Sequence, residues 1–79
     1  RVLLIDADFR RPRVHLLFGI DKEIGLSNLI RGSADIPEAV RTSEVEGLDV
    51  LPAGPRPRNP GELLALPRFK DLMQALREQ

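Results

Sequence analysis

Two carboxylates and an arginine close the first apolar run of the chain: Val2-Leu3-Leu4-Ile5 leads straight into Asp6-Ala7-Asp8-Phe9-Arg10. Carboxylates two residues apart project to the same side of an extended backbone, close enough to share a hydrated divalent cation. Oxygen-only donors favour magnesium. With no cysteine and a single histidine, His15, a zinc site of ordinary composition is disfavoured. Arg10, with Arg11 and Arg13 just beyond, lies where phosphate oxygens would meet such a cation. His15 has no partner residues nearby and reads as an ordinary surface or satisfied core histidine. A DxD pair by itself also fits a surface turn, and a basic cluster by itself a solvated face. Their position after an apolar run is what points to chemistry.

That run is the element that must position them. Four branched aliphatic residues suit a strand buried on both faces, as in a parallel sheet, and such strands deliver ligands at their carboxyl ends. A second strand is expected at Leu48-Asp49-Val50-Leu51-Pro52, stopped by its proline. Helices between the two predict a βαβ-type crossover, hence an α/β fold with a parallel sheet, strands at about 2–7 and 48–52, and flanking helices. No hairpin turn is evident to support an antiparallel pair.

Between the strands, Pro12 to Phe18 reads as a short helical turn with Gly19 at its exit and Val14, Leu17 and Phe18 inward. Gly25 to Ile30 reads as a second short helix closed by Gly32, with Leu26, Leu29 and Ile30 on one face. Asp35 can cap a turn or short helix near Pro37, with Ala39 and Val40 inward. Ala53 to Pro60 is too rich in proline and glycine for regular structure. It predicts a stiff, exposed loop at the same sheet edge as Asp6 and Asp8, carrying a second basic spot at Arg56 and Arg58. Asn59-Pro60-Gly61-Glu62 suits a helix start, with Glu62 reaching back to the cap amide and Leu63, Leu64 and Leu66 packing. Pro67 restarts a helix whose stripe of Phe69, Leu72, Met73 and Leu76 is a core face.

Composition removes several function classes. Twelve basic and twelve acidic residues give no net charge, and so no electrostatic footprint for nucleic acid. Absence of cysteine excludes a disulfide framework and fits a reducing compartment. No apolar run approaches membrane-spanning length and no signal sequence is visible. At 79 residues the chain is one domain at most. It begins with Arg1 and enters a strand at once, which predicts a segment of a longer protein with an incomplete site.

Taken together, these residues resemble the bacterial tyrosine autokinases of capsular and exopolysaccharide biosynthesis, whose kinase domain is a P-loop NTPase fold. The resemblance runs over nearly the whole chain. Leu3 to Arg10, with Arg11-Pro12 behind, is similar to that family's second Walker motif, Walker A′, a hydrophobic run followed by DxDxR. Gly25 to Gly32, Leu48 to Pro55, and Asn59 to Leu64 ahead of Arg68-Phe69 follow in the family's order and spacing.

The resemblance implies a part of an ATP- and magnesium-dependent protein-tyrosine kinase regulating polysaccharide chain length and export. In it, Asp6 and Asp8 belong to the metal and catalytic shell. Asp6 engages the magnesium hydration sphere or accepts the proton of the attacking tyrosine hydroxyl, Asp8 supports it, and Arg10 pairs with an acidic group or phosphate. It also implies a place at the inner face of the cytoplasmic membrane, a membrane chain-length regulator on the same chain or a separate subunit, a homo-oligomer, and a neighbouring subunit's tyrosine-containing tail as acceptor. Residues 1–79 are then a partial kinase domain without the Walker A and Walker B segments, expected to be inactive alone. Arg58, Gly61 and Leu66 depart from the family's usual proline, serine and small or polar residue. Two other readings compete. A partitioning or septum-positioning P-loop ATPase shares the DxD strand but not the loop from Gly54 to Leu64. A phospho-receiver domain needs an aspartate at a strand tip occupied here by Pro52-Ala53-Gly54.

Overall fold

A computed structural model describes residues 1–78. Eight elements follow one another: β1 (Val2–Ile5), α1 (Val14–Leu17), α2 (Leu26–Arg31), α3 (Ile36–Ala39), β2 (Arg41–Thr42), β3 (Leu48–Leu51), α4 (Pro60–Ala65) and α5 (Pro67–Arg77). The α/β class and the parallel pair are as the sequence predicts, with Val2 opposite Leu48 and Ile5 opposite Leu51. Both strands are shorter than expected, ending at Ile5 and Leu51.

The sheet is mixed, not purely parallel. β3 lies in the centre, and β2 pairs antiparallel on its far side, Arg41 against Val50 and Thr42 against Asp49. No Asn-Gly or Asp-Gly pair marks the connecting turn in the sequence. Instead the Ser43 hydroxyl folds the turn, at 2.7 Å from the Leu48 carbonyl oxygen and 3.1 Å from that of Val45, and Gly47 supplies a φ of +81°.

Burial departs from expectation on β1. Leu3 and Ile5 pack against the core, whereas Val2 is 64% and Leu4 39% exposed. The reason is where the helices put their apolar residues: Leu26, Leu29 and Ile30 of α2, Ala39 of α3, Leu63 of α4 and Leu76 of α5 join one cluster with Leu51, Ala53 and Phe9. That cluster serves the Leu3–Ile5 face. Burying Leu26 and Ile30 completely is worth about 1.5–3 kcal/mol each, so α2 is the main anchor.

Helix ends follow local chemistry in most places. The Gly25 amide donates to the Asn28 side-chain oxygen at 2.8 Å, and Gly32, at φ +80°, closes α2 while the Ser33 amide returns to the Asn28 carbonyl. At α3, the Glu38 carboxylate accepts from the Asp35 amide at 3.0 Å. Leu66 is extended, so α4 and α5 are separate helices with Pro67 starting the second. Two packing expectations fail: Leu17 and Leu66 point outward, at 76% and 42% exposure. Helix α1 is only four residues long, so Val14 alone fills its buried side. Among the described residues no helix is long and apolar enough to cross a membrane.

Candidate functional site

The tip of β1 is built around Asp6. Because the strand stops at Ile5, Asp6 and Asp8 stand in a loop and not side by side on extended backbone. Asp6 is 7% exposed and its carboxylate is held by three backbone amides. Oδ1 accepts from Asp8 at 3.0 Å, and Oδ2 from Arg13 and Val14 at 2.9 and 3.0 Å. Those last two amides belong to the start of α1, so Asp6 ties the strand to the helix after it.

Asp8 is exposed. Its Oδ1 accepts from the Arg10 and Arg11 amides at 3.2 and 3.0 Å, which turns the chain back and fixes the backbone of Arg10. Oδ2 of Asp8 has no partner among the described residues.

The loop leaving β3 forms the opposite wall, and α2 sets its position. The Leu26 and Ser27 amides donate to the Pro52 and Ala53 carbonyls at 2.8 and 3.0 Å, and the Ser27 hydroxyl donates to the Pro55 carbonyl at 2.7 Å. The two backbones approach so closely that a methyl group at Gly25 would collide with the Pro52 carbonyl oxygen and the Gly54 amide. At Gly54, φ is +81° and a methyl group would meet Ser27 Oγ at 2.7 Å. Sequence reasoning placed Gly25 and Ser27 on a core helix and missed this splint.

The arginines divide between two places. Arg10 joins Arg56 and Arg58 around a hollow of about 550 Å³, completed by Asn59, Pro60, Gly61 and Glu62. Arg11 and Arg13 line a different, smaller hollow with Pro12, Leu16 and Leu17. Asn59 makes no side-chain capping bond, and Glu62 sits in the wall of the basic hollow, not on the cap amide expected for it. His15 lies outside both hollows.

As magnesium donors, the residues fit by chemistry and not by number. Their atoms are carboxylate oxygens, and magnesium characteristically takes one or two protein carboxylates and keeps several waters. Asp8 retains a free oxygen, and Asp6 has used three of its roughly four acceptor positions. Among the described residues no three acidic, histidine or cysteine side chains converge on a common metal position.

The two ion pairs among the described residues lie apart from this edge. Arg1 meets Asp49 at 2.6 Å and Arg41 meets Asp21 at 3.1 Å. The Arg1 hydrogen bond holds the Asp49 carboxyl below its ordinary range, and the Glu23 amide followed by Arg41 does the same for Asp21.

No family model matches the chain. Known proteins do. A tyrosine-protein kinase, Ptk, of Acinetobacter johnsonii is 42% identical over 79 residues, covering 100% of this chain and 11% of that protein. The tyrosine-protein kinase YwqD of Bacillus subtilis is 43% identical over 72 residues, covering 91% of this chain and 30% of its own length. The solved kinase domain of the Escherichia coli tyrosine kinase ETK superposes with a TM-score of 0.90 at 36% identity, over 99% of this chain and 31% of that one. The chain thus spans about a tenth to a third of the proteins it matches. In both sequence and backbone, along nearly all of its length, it belongs to the bacterial tyrosine-kinase family.

Proposed function

We propose that the protein carrying these residues is an ATP-dependent protein-tyrosine autokinase of capsule or exopolysaccharide biosynthesis, regulating polysaccharide chain length and export. Residues 1–79 are then one part of its P-loop NTPase domain, supplying the Walker A′ carboxylates. The observation carrying this reading is the pairing at the β1 tip of an amide-locked carboxylate, Asp6, with an exposed one, Asp8, that keeps an oxygen free.

Bound magnesium would neutralise phosphate oxygens and orient the group being transferred. Asp6 is rigid because its amides hold it. It therefore serves as a fixed negative charge beside the hydration sphere, or as acceptor for the proton of an attacking tyrosine hydroxyl. Asp8 supports it from the solvent side, and Arg10, its backbone fixed by Asp8, pairs with phosphate. No GxxxxGK[ST] loop occurs in the 79 residues, so the chain alone lacks a cradle for the nucleotide. By the same family reading, the protein works at the inner face of the cytoplasmic membrane with a membrane chain-length regulator. It is a homo-oligomer whose neighbouring subunit presents a tyrosine-bearing tail.

The test is transfer of labelled phosphate from ATP to tyrosine by the full-length protein. Asp8→Asn should lower the rate about a hundredfold, with an unchanged unfolding midpoint because the side chain is exposed. Equal rates for variant and wild type would reject the assignment. The isolated 79-residue chain should transfer none.

A further inference from the structure

We infer that the hollow between the β1 and β3 loops is a binding site for a phosphate monoester, and specifically for phosphotyrosine on a peptide. Arg10, Arg56 and Arg58 line it from two loops far apart in sequence. The ion pairs among the described residues are Arg1–Asp49 and Arg41–Asp21, so none of the three guanidinium groups is neutralised by one. Glu62 is the single acid in the wall, against three positive charges. Like charges held together without partners repel one another, and an anion brought between them relieves that repulsion.

Both walls are stiff. The Asp8 carboxylate clamps the backbone at Arg10, and the other loop carries Pro55, Pro57 and Pro60 and is splinted to α2 through Ser27. Guanidinium groups on a rigid frame present forked donors, matching the several oxygens of a phosphate dianion better than the two of a carboxylate. The lining contains no aromatic side chain against which a nucleobase could stack, and apart from Pro60 it is polar, charged or glycine. It is also made almost wholly of exposed residues, so the rest of a phosphorylated chain can run out over the surface. The choice of tyrosine phosphate among phosphate monoesters rests on the kinase reading above; the arginine geometry does not. The site would hold the product of the reaction beside the carboxylates that made it.

The experiment measures binding to the full-length protein, without turnover. The probes are a fluorescent Gly-Ser decapeptide bearing one phosphotyrosine, the same peptide with tyrosine, the same with glutamate, orthophosphate, and ATP. The phosphopeptide should bind more tightly than the other peptides and than orthophosphate. The double variant Arg56→Gln, Arg58→Gln should weaken it about tenfold or more, with a melting temperature no lower than that of the wild type and a shallower salt dependence. ATP binding should be unaffected by the double variant. Equal affinity for the tyrosine, glutamate and phosphotyrosine peptides, or no effect of the double variant, overturns the inference. So does arginine-dependent binding of orthophosphate or ATP that matches or exceeds that of the phosphopeptide. Tyrosine phosphorylation assayed on the same preparation separates the two proposals. Arginine-dependent phosphopeptide binding without any transfer sustains this site and removes the kinase reading, whereas normal transfer without such binding does the reverse.

Discussion

Asp6 and Asp8 stand two residues apart and do different work. Asp6 faces inward and saturates the amides of Asp8, Arg13 and Val14, so Asp6→Ala would leave those donors with no acceptor in a part-buried loop. A loss of about 3 kcal/mol is expected, read from urea denaturation, because hydrogen bonds to a charged acceptor are strong and orphaned buried donors costly. Asp8→Ala should cost far less, since its acceptor role is exposed. If both substitutions destabilise equally, the division of labour is wrong. Gly54 gives a second prediction at this scale. Its φ of +81° and its contact with Ser27 mean that Gly54→Ala should destabilise by about 1–3 kcal/mol, whereas Gly61→Ala, with open space around it, should be close to neutral. Parallel thermal melts compare the two.

Among the elements, the pairing of β1 with β3 was legible, because two branched apolar runs separated by helical segments leave few arrangements. Strand β2 was not. Arg41–Thr42 is too short to show alternation, and its turn depends on a serine hydroxyl instead of a turn dipeptide. The candidate site is legible in the same uneven way. Asp6, Asp8 and Arg10 follow an apolar run, whereas the partnership of Arg10 with Arg56 and Arg58 needed the register of β1 on β3 to bring their loops together. The ion pair from Arg1 to Asp49 also joins the ends of these two strands. The Asp49 carboxyl is depressed in the folded state, so the stabilisation is complete above its unfolded value, roughly pH 4, and is lost as pH falls through the lower folded value. Asp49→Asn should therefore reduce stability slightly at neutral pH, and the wild type and variant should converge in acid. A difference that grows on acidification would contradict the assignment.

At the scale of the molecule, the main core cluster packs on the Leu3–Ile5 face of the sheet, and on the other face Val50 of the central strand is fully buried while Val2 and Leu4 stay exposed on the edge strand β1. An exposed apolar edge in a chain of zero net charge favours association. The 79-residue chain in isolation should sediment as concentration-dependent oligomers, and Leu4→Lys should shift it toward monomer; a wild-type chain that stays monomeric would show that the open face is tolerated. The splint between α2 and the β3 loop has a consequence of another kind. Gly25, Ser27 and Gly54 decide where the loop stands, while Arg56 and Arg58, a few residues on, make none of the hydrogen bonds that form the splint. Placement and chemistry are thus carried by separate residues. A lineage could exchange those arginines for prolines, acids or neutral side chains, changing what the loop attracts while its distance from Asp8 stayed the same, so recognition can diverge under selection without the fold having to be solved again.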